Sequence, residues 1–417
     1  MRAFFYKLAD YGYRVFRCRT SMAHAPRWEP SQLLDRESSG RQIAHVAAFT
    51  AQGSNAGDIL LPAVLRDAIT FYGGGIDWKA IHARSAVDES TIDEINSTQG
   101  LIIGGGGLFL RDTNANQISG WQWPCSVEQI KRIRVPFCAM GVGYNRFRGQ
   151  ADFDPVFTDN IRVFVERAQF VGLRNTGSMN SIRSYLPTEL HSKIRFQPCL
   201  TTLIAKLYPH LILRESESSF LALNCAFDRP ELRYGNDKES ILKSISQGVK
   251  TVADRFGLSI KYYSHYSADE EMIPVLRSQG IDCEVVDLSK FDSREIIAAY
   301  SEPALAIGMR GHSQMIPFGC NTPILSLISH DKLQWFLDDI NRSEWGVDLH
   351  QANIAEQIIE RGSQILSAPS IVAEFLEESQ SSLWEVARGS ITEFLGCMPI
   401  AKELGSCHLQ EKNNESV

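Results

Sequence analysis

Short apolar runs alternate with amphipathic stretches along the chain from about residue 41 onward. This pattern is typical of a parallel sheet covered by helices, because such strands are buried on both faces and the crossover helices are apolar on one side. In the first half, the pattern predicts strands at 43–49, 76–82, 100–103, 136–140, 170–173 and 193–196, and helices at 59–71, 88–95, 126–133, 155–167 and 177–185. In the second half, it predicts strands at 220–224, 259–263, 282–286, 305–307 and 324–327, and helices at 238–255, 269–278, 294–300 and 314–318.

Two successive series of this kind predict an α/β protein with two doubly wound domains that face each other across a cleft. The expected boundaries are an N-terminal extension at 1–40, a first domain at 41–205, a second domain at 206–400 and a polar tail at 401–417. Residues 352–395 are predicted to form helices without strands, which either pack on the second domain or cross back to the first. Loops at the carboxyl ends of the strands are expected to line the cleft.

Composition narrows the class of protein. The 417 residues are 44% hydrophobic and 22% charged, which matches an ordinary globular protein. A net charge of −7 argues against a surface built to neutralise nucleic-acid phosphates, so no nucleic-acid partner is expected. The nine cysteines form no CxxC pair, and their odd number favours reduced thiols in the cytoplasm over a disulfide framework.

The N-terminal twenty residues are basic and aromatic, but charges between Lys7 and Arg17 interrupt any signal-peptide core. No stretch approaches the roughly eighteen uninterrupted apolar residues of a membrane span. We therefore expect a cytoplasmic protein. The N-terminal segment is compatible with peripheral contact at the inner face of a membrane, but the favoured interpretation is a docking or poorly ordered extension. The sequence does not indicate the oligomeric state.

A glycine-bearing turn, TAQGSNAGDILLP, follows the first predicted strand and leads into a helix. Such a turn gathers backbone N–H donors where an anion can bind. Asn55 and Asp58 are therefore candidate substrate contacts. The alternative is that Asp58 only caps the helix, as residues of its type often do.

Four consecutive glycines follow the third predicted strand, in GLIIGGGGLFLRD. Because glycine has no Cβ, a ligand or another backbone can approach this strand end closely. Gly105, Gly106 and Gly107 are therefore further candidate substrate contacts.

Neither glycine-rich segment is a sound nucleotide motif. In GGGGLFL the third glycine of GxGxxG is replaced by Phe109 or Leu110, and GVGYNR at 141–146 fails in the same way. No segment ends in the GK[ST] of a triphosphate-binding loop. A nucleotide-driven kinase or ATPase is thus disfavoured, and a nicotinamide oxidoreductase is the least favoured class.

The segment FVGLRNTGSMNSI places Arg174 at the end of a predicted strand and Ser178 at the start of a helix. An arginine beside a helix N-terminus offers a guanidinium fork and amide donors, which suit a phosphate or carboxylate. The alternative is a surface salt bridge, which is common for a single arginine.

The most informative stretch is AIGMRGHSQMIPFGCNTPILSL. Arg310, Gly311 and His312 follow an apolar strand and precede a helix, so the two side chains are expected at the cleft. A permanent cation and a group that titrates near neutrality suit an anionic substrate and proton transfer. A single histidine in this place is as compatible with a structural role as with a catalytic one.

The ordered series NAGD, LIIGGGG, PFCAMGVG, LRNTGS and GMRGHS resembles the polysaccharide pyruvyl transferase family over about residues 45–340. The resemblance implies two facing Rossmann-like domains in a glycosyltransferase-B-like arrangement. It also implies that no metal or nucleotide is needed, with phosphoenolpyruvate as donor and a sugar or lipid-linked oligosaccharide as acceptor. The product would be a cyclic ketal in a cell-surface or exopolysaccharide glycan.

The resemblance also implies roles for particular residues. Arg174 and Arg310 would bind the phosphate and carboxylate of phosphoenolpyruvate, and His312 would be the catalytic acid or base. Asp58 and the glycine turn would shape the first-domain side of the cleft. The chain departs from the family at Asn175, where an acidic residue is usual after the arginine, and at Gly311, where a larger residue is frequent.

Two other classes of function stay open at this point. A nucleotide-sugar glycosyltransferase could use the same scaffold, since one fold hosts many chemistries. A catalytically idle glycan- or anion-binding protein of polysaccharide assembly is the other. The loop at 111–124 is the predicted acceptor side, with Trp121 and Trp123 either stacking on a sugar or packing in the core. Tyr263 and His265 close a further strand and are candidates to face the cleft.

Overall fold

The computed structural model describes residues 32–34, 36–50, 52–212 and 218–399. Most of the predicted extension at 1–40 and all of the predicted tail at 401–417 lie outside the described residues. The strands are β1 Ser38–Ala47, β2 Gly75–His82, β3 Gly100–Phe109, β4 Phe137–Tyr144, β5 Val171–Leu173, β6 Ile194–Phe196, β7 Phe220–Asn224, β8 Ser259–Ser264, β9 Glu284–Asp287, β10 Leu305–Gly308, β11 Ile324–Ile328 and β12 Gly346–Asp348.

The α-helices lie between these strands and after the last one. They are α1 Ala56–Gly73, α2 Glu89–Asn96, α3 Val127–Arg132, α4 Pro155–Arg167, α5 Thr176–Arg183, α6 Ile204–Leu207, α7 Pro230–Tyr234, α8 Lys238–Phe256, α9 Met272–Ser278, α10 Ser293–Ser301, α11 His312–Gly319, α12 Asp331–Asp339, α13 Ile354–Leu366 and α14 Pro369–Cys397. Short 3-10 turns join several of them.

The strands form two six-stranded sheets in which every described pairing is parallel. The first sheet has the order β2-β1-β3-β4-β5-β6 and the second the order β12-β11-β10-β7-β8-β9. The order therefore reverses between β1 and β3 in the first sheet and between β7 and β10 in the second. Ligands bind outside the carboxyl ends of the strands at such reversal points.

Side-chain alternation along the strands divides the core between the two faces of the first sheet. Ile102 belongs to a core that continues into the second half of the chain, whereas its neighbours Leu101 and Ile103 belong to a separate core on the opposite face. Adjacent residues of a strand point to opposite faces, so both faces need apolar side chains. This explains why these strands are apolar without alternation in the sequence.

The helix α1 lies between the first sheet and the second half of the chain. Asn55 caps its N-terminus, because the Asn55 side chain accepts a hydrogen bond from the Gly57 amide at 2.9 Å. The loop before the helix is bonded to the second half, with 2.6 Å from the Gly53 nitrogen to the Ser289 oxygen and 3.1 Å from the Ala56 nitrogen to the His265 oxygen. These bonds fix the N-terminus of α1 at the carboxyl edge of the second sheet.

The long C-terminal helix α14 packs on the second half and crosses back to the first. Gln380 donates to the Phe318 carbonyl oxygen at 2.6 Å, and Trp384 packs edge-on against Phe71 of α1 with ring centroids 5.3 Å apart. Near its end, Phe394 lies beside Gly100 of β3. Of the two arrangements predicted for this region, the structure therefore combines both.

The fold class predicted from the sequence is confirmed, with a few local differences. The strand β12 and the helices α6, α7 and α12 were not predicted. Three of these elements are very short, with three residues in β12, four in α6 and five in α7. The helix predicted at 269–278 begins instead as a 3-10 turn at Ser267–Glu271, before α9. Within the described residues, no helix combines the length and the apolar composition that crossing a bilayer requires.

Candidate active site

A cavity of about 190 Å³ lies where the carboxyl ends of the two sheets meet. The first half lines it from the loops after β1, β2, β3, β4 and β5, and the second half from the loops after β7, β10 and β11. Both reversal points of strand order therefore open onto it. The lining residues are Ala48, Asn55, Asp58, Arg84, Gly106, Gly107, Leu108, Leu110, Thr113, Gln122, Asn145, Arg174, Asp228, Arg229, Arg233, Arg310, Gly311, His312 and Lys332.

The structure brings Arg174, Arg310 and His312 to this one cavity, as the sequence predicted for the cleft. Arg174 comes from the first half, directly after β5, and the other two come from the loop between β10 and α11. Six basic side chains line the cavity against two carboxylates, Asp58 and Asp228. The lining thus favours an anionic ligand.

Arg310 is held by two carboxylates. Asp269 accepts from its Nε at 2.8 Å and from its Nη2 at 2.5 Å, and Asp228 lies 2.9 Å from its Nη1. Burial opposes the charge of Arg310, but these two carboxylates outweigh burial and raise its pKa above the ordinary value. Three of its five N–H groups thus bind carboxylates of the protein. These contacts fix Arg310 in the cavity wall and leave only two N–H groups for a ligand.

Asp228 joins this network to a second arginine. Arg233 on α7 donates to Asp228 at 2.9 and 3.0 Å and to the Ser329 hydroxyl at 2.8 Å. Although burial acts to raise the pKa of Asp228, Arg233 and Arg310 lower it below its usual range. Asp228 is therefore ionised and saturated by cations.

Among the described residues, Arg174 has no such carboxylate partner. Its side chain is buried, its Nη2 donates to the Asn145 Oδ1 at 3.3 Å, and its Nε has no hydrogen-bond partner within the described part of the chain. Burial lowers the pKa of its guanidinium, so an anion in the cavity would relieve the cost of this charge. The Asn145 contact also orients the fork.

Lys332, in the first turn of α12, was not predicted from the sequence. It lines the cavity and makes no ion pair with any described residue. Burial, followed by the charges of Arg174 and Arg233, lowers its pKa well below the ordinary value. His330 caps α12 by accepting from the Lys332 amide at 3.1 Å, which places this lysine at the carboxyl edge of the second sheet.

His312 lies against the first turn of α1. A Cβ added to Gly57 would come within 2.1 Å of the His312 Nδ1, so only glycine leaves room for the ring. The His312 Nε2 is 3.9 Å from the Cys199 sulfur. Burial, with the charges of Arg174 and Lys332, lowers the pKa of His312 to about 3, and the imidazole is therefore neutral at physiological pH.

Asn55 and Asp58 both line the cavity from the start of α1. The cap of this helix is Asn55, which answers the alternative raised for Asp58: the aspartate lies in the first turn but is not the capping residue. Burial raises the pKa of Asp58, against the opposing charges of Arg84, Arg310, Arg174 and Lys332.

Only part of the glycine turn lines the cavity. Gly106 and Gly107 line the cavity, as does Gly311 from the second half, whereas Gly105 packs against Leu61 of α1 with a φ of +63°. A Cβ on Gly107 would lie 1.6 Å from the Asn145 Nδ2. The turn therefore gives room to α1 and to Asn145, and two of its three candidate contacts reach the cavity.

Other predicted candidates lie outside the cavity lining. Ser178 is buried, and its hydroxyl accepts from the Tyr144 amide at 3.0 Å. Asn175, where the chain departs from the family pattern, caps α5: its side chain accepts a hydrogen bond from the Ser178 amide at 2.7 Å. Trp121 and Trp123 are fully buried, so they pack in the core.

The two remaining candidates are also buried. Tyr263 donates to the Ala299 carbonyl oxygen at 2.8 Å. His265 contacts the Tyr300 hydroxyl, and burial lowers its pKa well below the ordinary value. The prediction that these side chains face the cleft is wrong, because both are buried and neither lines the cavity.

A comparison with protein families shows which family the chain belongs to. The family model described as polysaccharide pyruvyl transferase matches residues 55–331, which is more than half of the 417 residues. The chain belongs to the polysaccharide pyruvyl transferase family. The resemblance stated from the five motifs is thereby confirmed, and membership of this family implies a transferase.

One solved structure supports the fold of this family member, and a second is reported beside it. A UDP-GlcNAc 2-epimerase from Neisseria meningitidis bound to UDP-GlcNAc has a TM-score of 0.50 at 11% identity, covering 85% of this chain and 100% of that one. A UDP-N-acetylglucosamine 2-epimerase from Rickettsia bellii has a TM-score of 0.47 at 10% identity, covering 85% and 97%. At 11% identity the likeness to the Neisseria structure shows the fold alone, a two-domain Rossmann-like α/β fold. No curated protein sequence matches the chain.

Sequence reasoning missed several lining residues of this family member. Asp228 follows the predicted strand at 220–224, and Lys332 follows the predicted strand at 324–327. The rule that ligands bind after the carboxyl ends of strands would have found both. Arg84, after β2, is a third example.

Proposed function

We propose that this chain transfers the pyruvyl group of phosphoenolpyruvate to two hydroxyls of a sugar in a surface glycan, forming a cyclic ketal. The observation that carries the proposal is the meeting of Arg174 and Lys332, cations from opposite halves without ion-pair partners in the described residues, beside the neutral His312. Phosphoenolpyruvate carries a phosphate and a carboxylate on three carbons, so two separate cations match its two anionic groups.

The dimensions of the cavity support a small donor. Its volume of about 190 Å³ is below the roughly 300–1,000 Å³ typical of pockets for drug-sized ligands. A compact phosphorylated acid is better matched to this space than a nucleotide diphosphate sugar. The acceptor would approach from the side of Arg84, Thr113 and Gln122, which line the first-half edge.

The reaction begins with a proton added to the methylene carbon C3 of phosphoenolpyruvate, which leaves C2 electron-poor. One sugar hydroxyl attacks C2, phosphate departs with the electrons of its bond to C2, and the second hydroxyl closes the ring. Each step needs a positioned proton carrier and a stabilised anion.

His312 is the proposed donor of the proton to C3. It is neutral because burial and two cations lower its pKa to about 3. A bound phosphate and carboxylate would offset the charges of Arg174 and Lys332 and so raise the pKa of the imidazole. Donor binding would thus charge the acid that the reaction needs. The remaining N–H groups of Arg310 would also donate hydrogen bonds to the donor substrate.

A phosphate-release assay tests this proposal. Phosphoenolpyruvate is incubated with a panel of sugar and lipid-linked acceptors, and the product is examined for a cyclic ketal. We expect acceptor-dependent phosphate release that falls about 100-fold to 10,000-fold in His312→Gln, the usual contribution of a positioned acid or base. The exposed His210 offers a matched control, since His210→Gln should leave the rate unchanged.

Two outcomes would overturn the assignment. Consumption of a nucleotide sugar, with no phosphate released from phosphoenolpyruvate, would indicate a glycosyltransferase. Binding of a glycan or of phosphoenolpyruvate without turnover on any acceptor would indicate an idle binding protein.

A further inference from the structure

Asp58 is the carboxylate of the cavity lining that pairs with no other group in the described part of the chain. It is half-buried in the first turn of α1 and lines the cavity, and its side chain has no hydrogen-bond or ion-pair partner among the described residues. Asn55 already caps the helix. The other carboxylate of the lining, Asp228, is saturated by Arg233 and Arg310.

The position of Asp58 relates it directly to His312. The residue before it, Gly57, packs directly against the His312 ring. The charged groups that act on Asp58 are Arg84, Arg310, Arg174 and Lys332. The carboxylate thus shares one cavity with the cations proposed to hold the donor and with the imidazole proposed to protonate it.

Burial acts on these two groups in opposite directions. It raises the pKa of Asp58 and lowers the pKa of His312, so burial favours the neutral form of each. At Asp58 the four surrounding cations act against burial and favour the carboxylate. Pairs of titratable groups in one site with environments of this kind are typical of acid–base catalysis.

The reaction moves two hydroxyl protons, so it has room for a second proton carrier. Phosphoenolpyruvate and two hydroxyls give a ketal and a hydrogen phosphate ion, so one hydroxyl proton ends on C3 and the other leaves on phosphate. A single imidazole that has just given its proton to C3 can accept one of these protons. A separate base beside the acceptor hydroxyl and the departing phosphate can carry the other.

We propose that Asp58 is this second catalytic residue, an inference that rests on the proposed function. His312 gives its proton to C3, and the first hydroxyl oxygen bonds to C2 while its proton passes to the Asp58 carboxylate. Asp58 hands that proton to the phosphate oxygen as the C2–O bond breaks and the electron pair leaves with phosphate. The second hydroxyl oxygen then bonds to C2, and its proton returns to His312. Both residues are restored.

The test uses the full chain with Asp58→Asn and Asp58→Ala. We expect acceptor-dependent phosphate release to fall about 100-fold to 10,000-fold in both. The affinity for phosphoenolpyruvate, measured by titration calorimetry, should be unchanged or higher, since a negative charge is removed from the cationic cavity. Added formate should restore part of the rate in Asp58→Ala, because it supplies a carboxylate to the vacated space, and should not do so in Asp58→Asn.

Glu89→Gln is the matched control, because Glu89 is an exposed first-turn acid on α2 outside the cavity lining. It should leave turnover unchanged. Turnover of Asp58→Asn within about threefold of the parent would overturn the role, as would a parallel loss of phosphoenolpyruvate binding or of the folded state. A parent chain that releases no phosphate with any acceptor would instead defeat the proposed function, so the two failures are distinguishable.

Discussion

At the scale of single residues, the same surroundings shift both His312 and Lys332 toward their neutral forms. Burial, with the charge of Arg174, lowers the pKa of each. This is a cost that the folded chain bears in the absence of an anion, because charged forms of buried groups are disfavoured. A ligand that brings negative charge removes the repulsion and shifts both groups toward their protonated forms.

Binding of phosphoenolpyruvate should therefore take up protons. At pH 7 the His312 imidazole is neutral, since its pKa is about 3, and the bound anion raises that pKa toward the ordinary value near 6.5. We expect net proton uptake in calorimetric titrations that compare buffers of different ionisation enthalpy, and a larger uptake at pH 6 than at pH 7.5. In His312→Gln the uptake should fall. An uptake equal to that of the parent would show that His312 does not respond to the ligand.

The arginines of the cavity show how neighbours decide a role that residue type leaves open. Arg174 and Arg310 both follow a strand and both reach the cavity. Asp269 and Asp228 are bonded to Arg310, whereas no carboxylate pairs with Arg174 in the described chain. A buried pair of this kind fixes geometry more than it adds stability.

At the scale of elements, the site depends on one close contact between two helices that begin at different sheets. The first turn of α1 approaches the start of α11 so closely that the His312 ring occupies the space where a side chain of residue 57 would lie. Hydrogen bonds from the Gly53 and Ala56 nitrogens to the second half hold α1 in this position.

Gly57→Ala should lower turnover nearly as much as removal of the imidazole. The added Cβ would overlap the His312 Nδ1, so the ring must leave its place, although alanine is the better helix former by up to about 1 kcal/mol. Steady-state phosphate release checks this. Gly389→Ala in α14, where a Cβ would meet no atom within 4 Å, serves as the control and should keep full activity. Equal activity of the two variants would contradict the contact.

The sequence predicted the elements and the two loops that carry Arg174 and His312, because both depend on local patterns. Strands buried on both faces are apolar runs, and a loop after such a run lies at the site. It could not predict the partners of Arg310, since Asp269 and Asp228 lie 41 and 82 residues away in sequence and on other strands' loops. Pairing of that kind depends on the order of strands, which the hydrophobic pattern does not contain.

The same reason explains why Lys332 was missed. Its helix, α12, is short and amphipathic, and a lysine in such a helix is commonly a solvated side chain. Only the parallel pairing of β10 with β11 brings the start of α12 beside the loop that carries His312. A local pattern thus predicts which residues end a strand, and the sheet order decides which of them meet.

At the scale of the whole molecule, the two sheets share a core. Apolar residues on one face of the first sheet, on α1 and throughout the second half form one continuous cluster, which α14 extends from Phe375 beside Trp345 to Phe394 beside β3. Ion pairs of Arg148 with Asp331 and Asp348 also join the halves near the cavity. The two halves are therefore built to hold the site as one unit.

Unfolding should consequently be a single cooperative transition, even though the chain is long enough for two domains. Phe394→Ala, at the end of α14 against the first sheet, should destabilise by about 3–5 kcal/mol, the usual cost of removing a buried aromatic side chain. If the core acts as one, this substitution lowers the midpoint measured by a probe in either half, such as Trp78 on β2 or Trp345 just before β12. Ile371→Ala is the control on the same helix, because Ile371 is 67% exposed and should change stability by less than about 0.5 kcal/mol. Two separate transitions, with only one shifted by Phe394→Ala, would show instead that the halves fold independently and that the cavity is assembled afterwards by their docking.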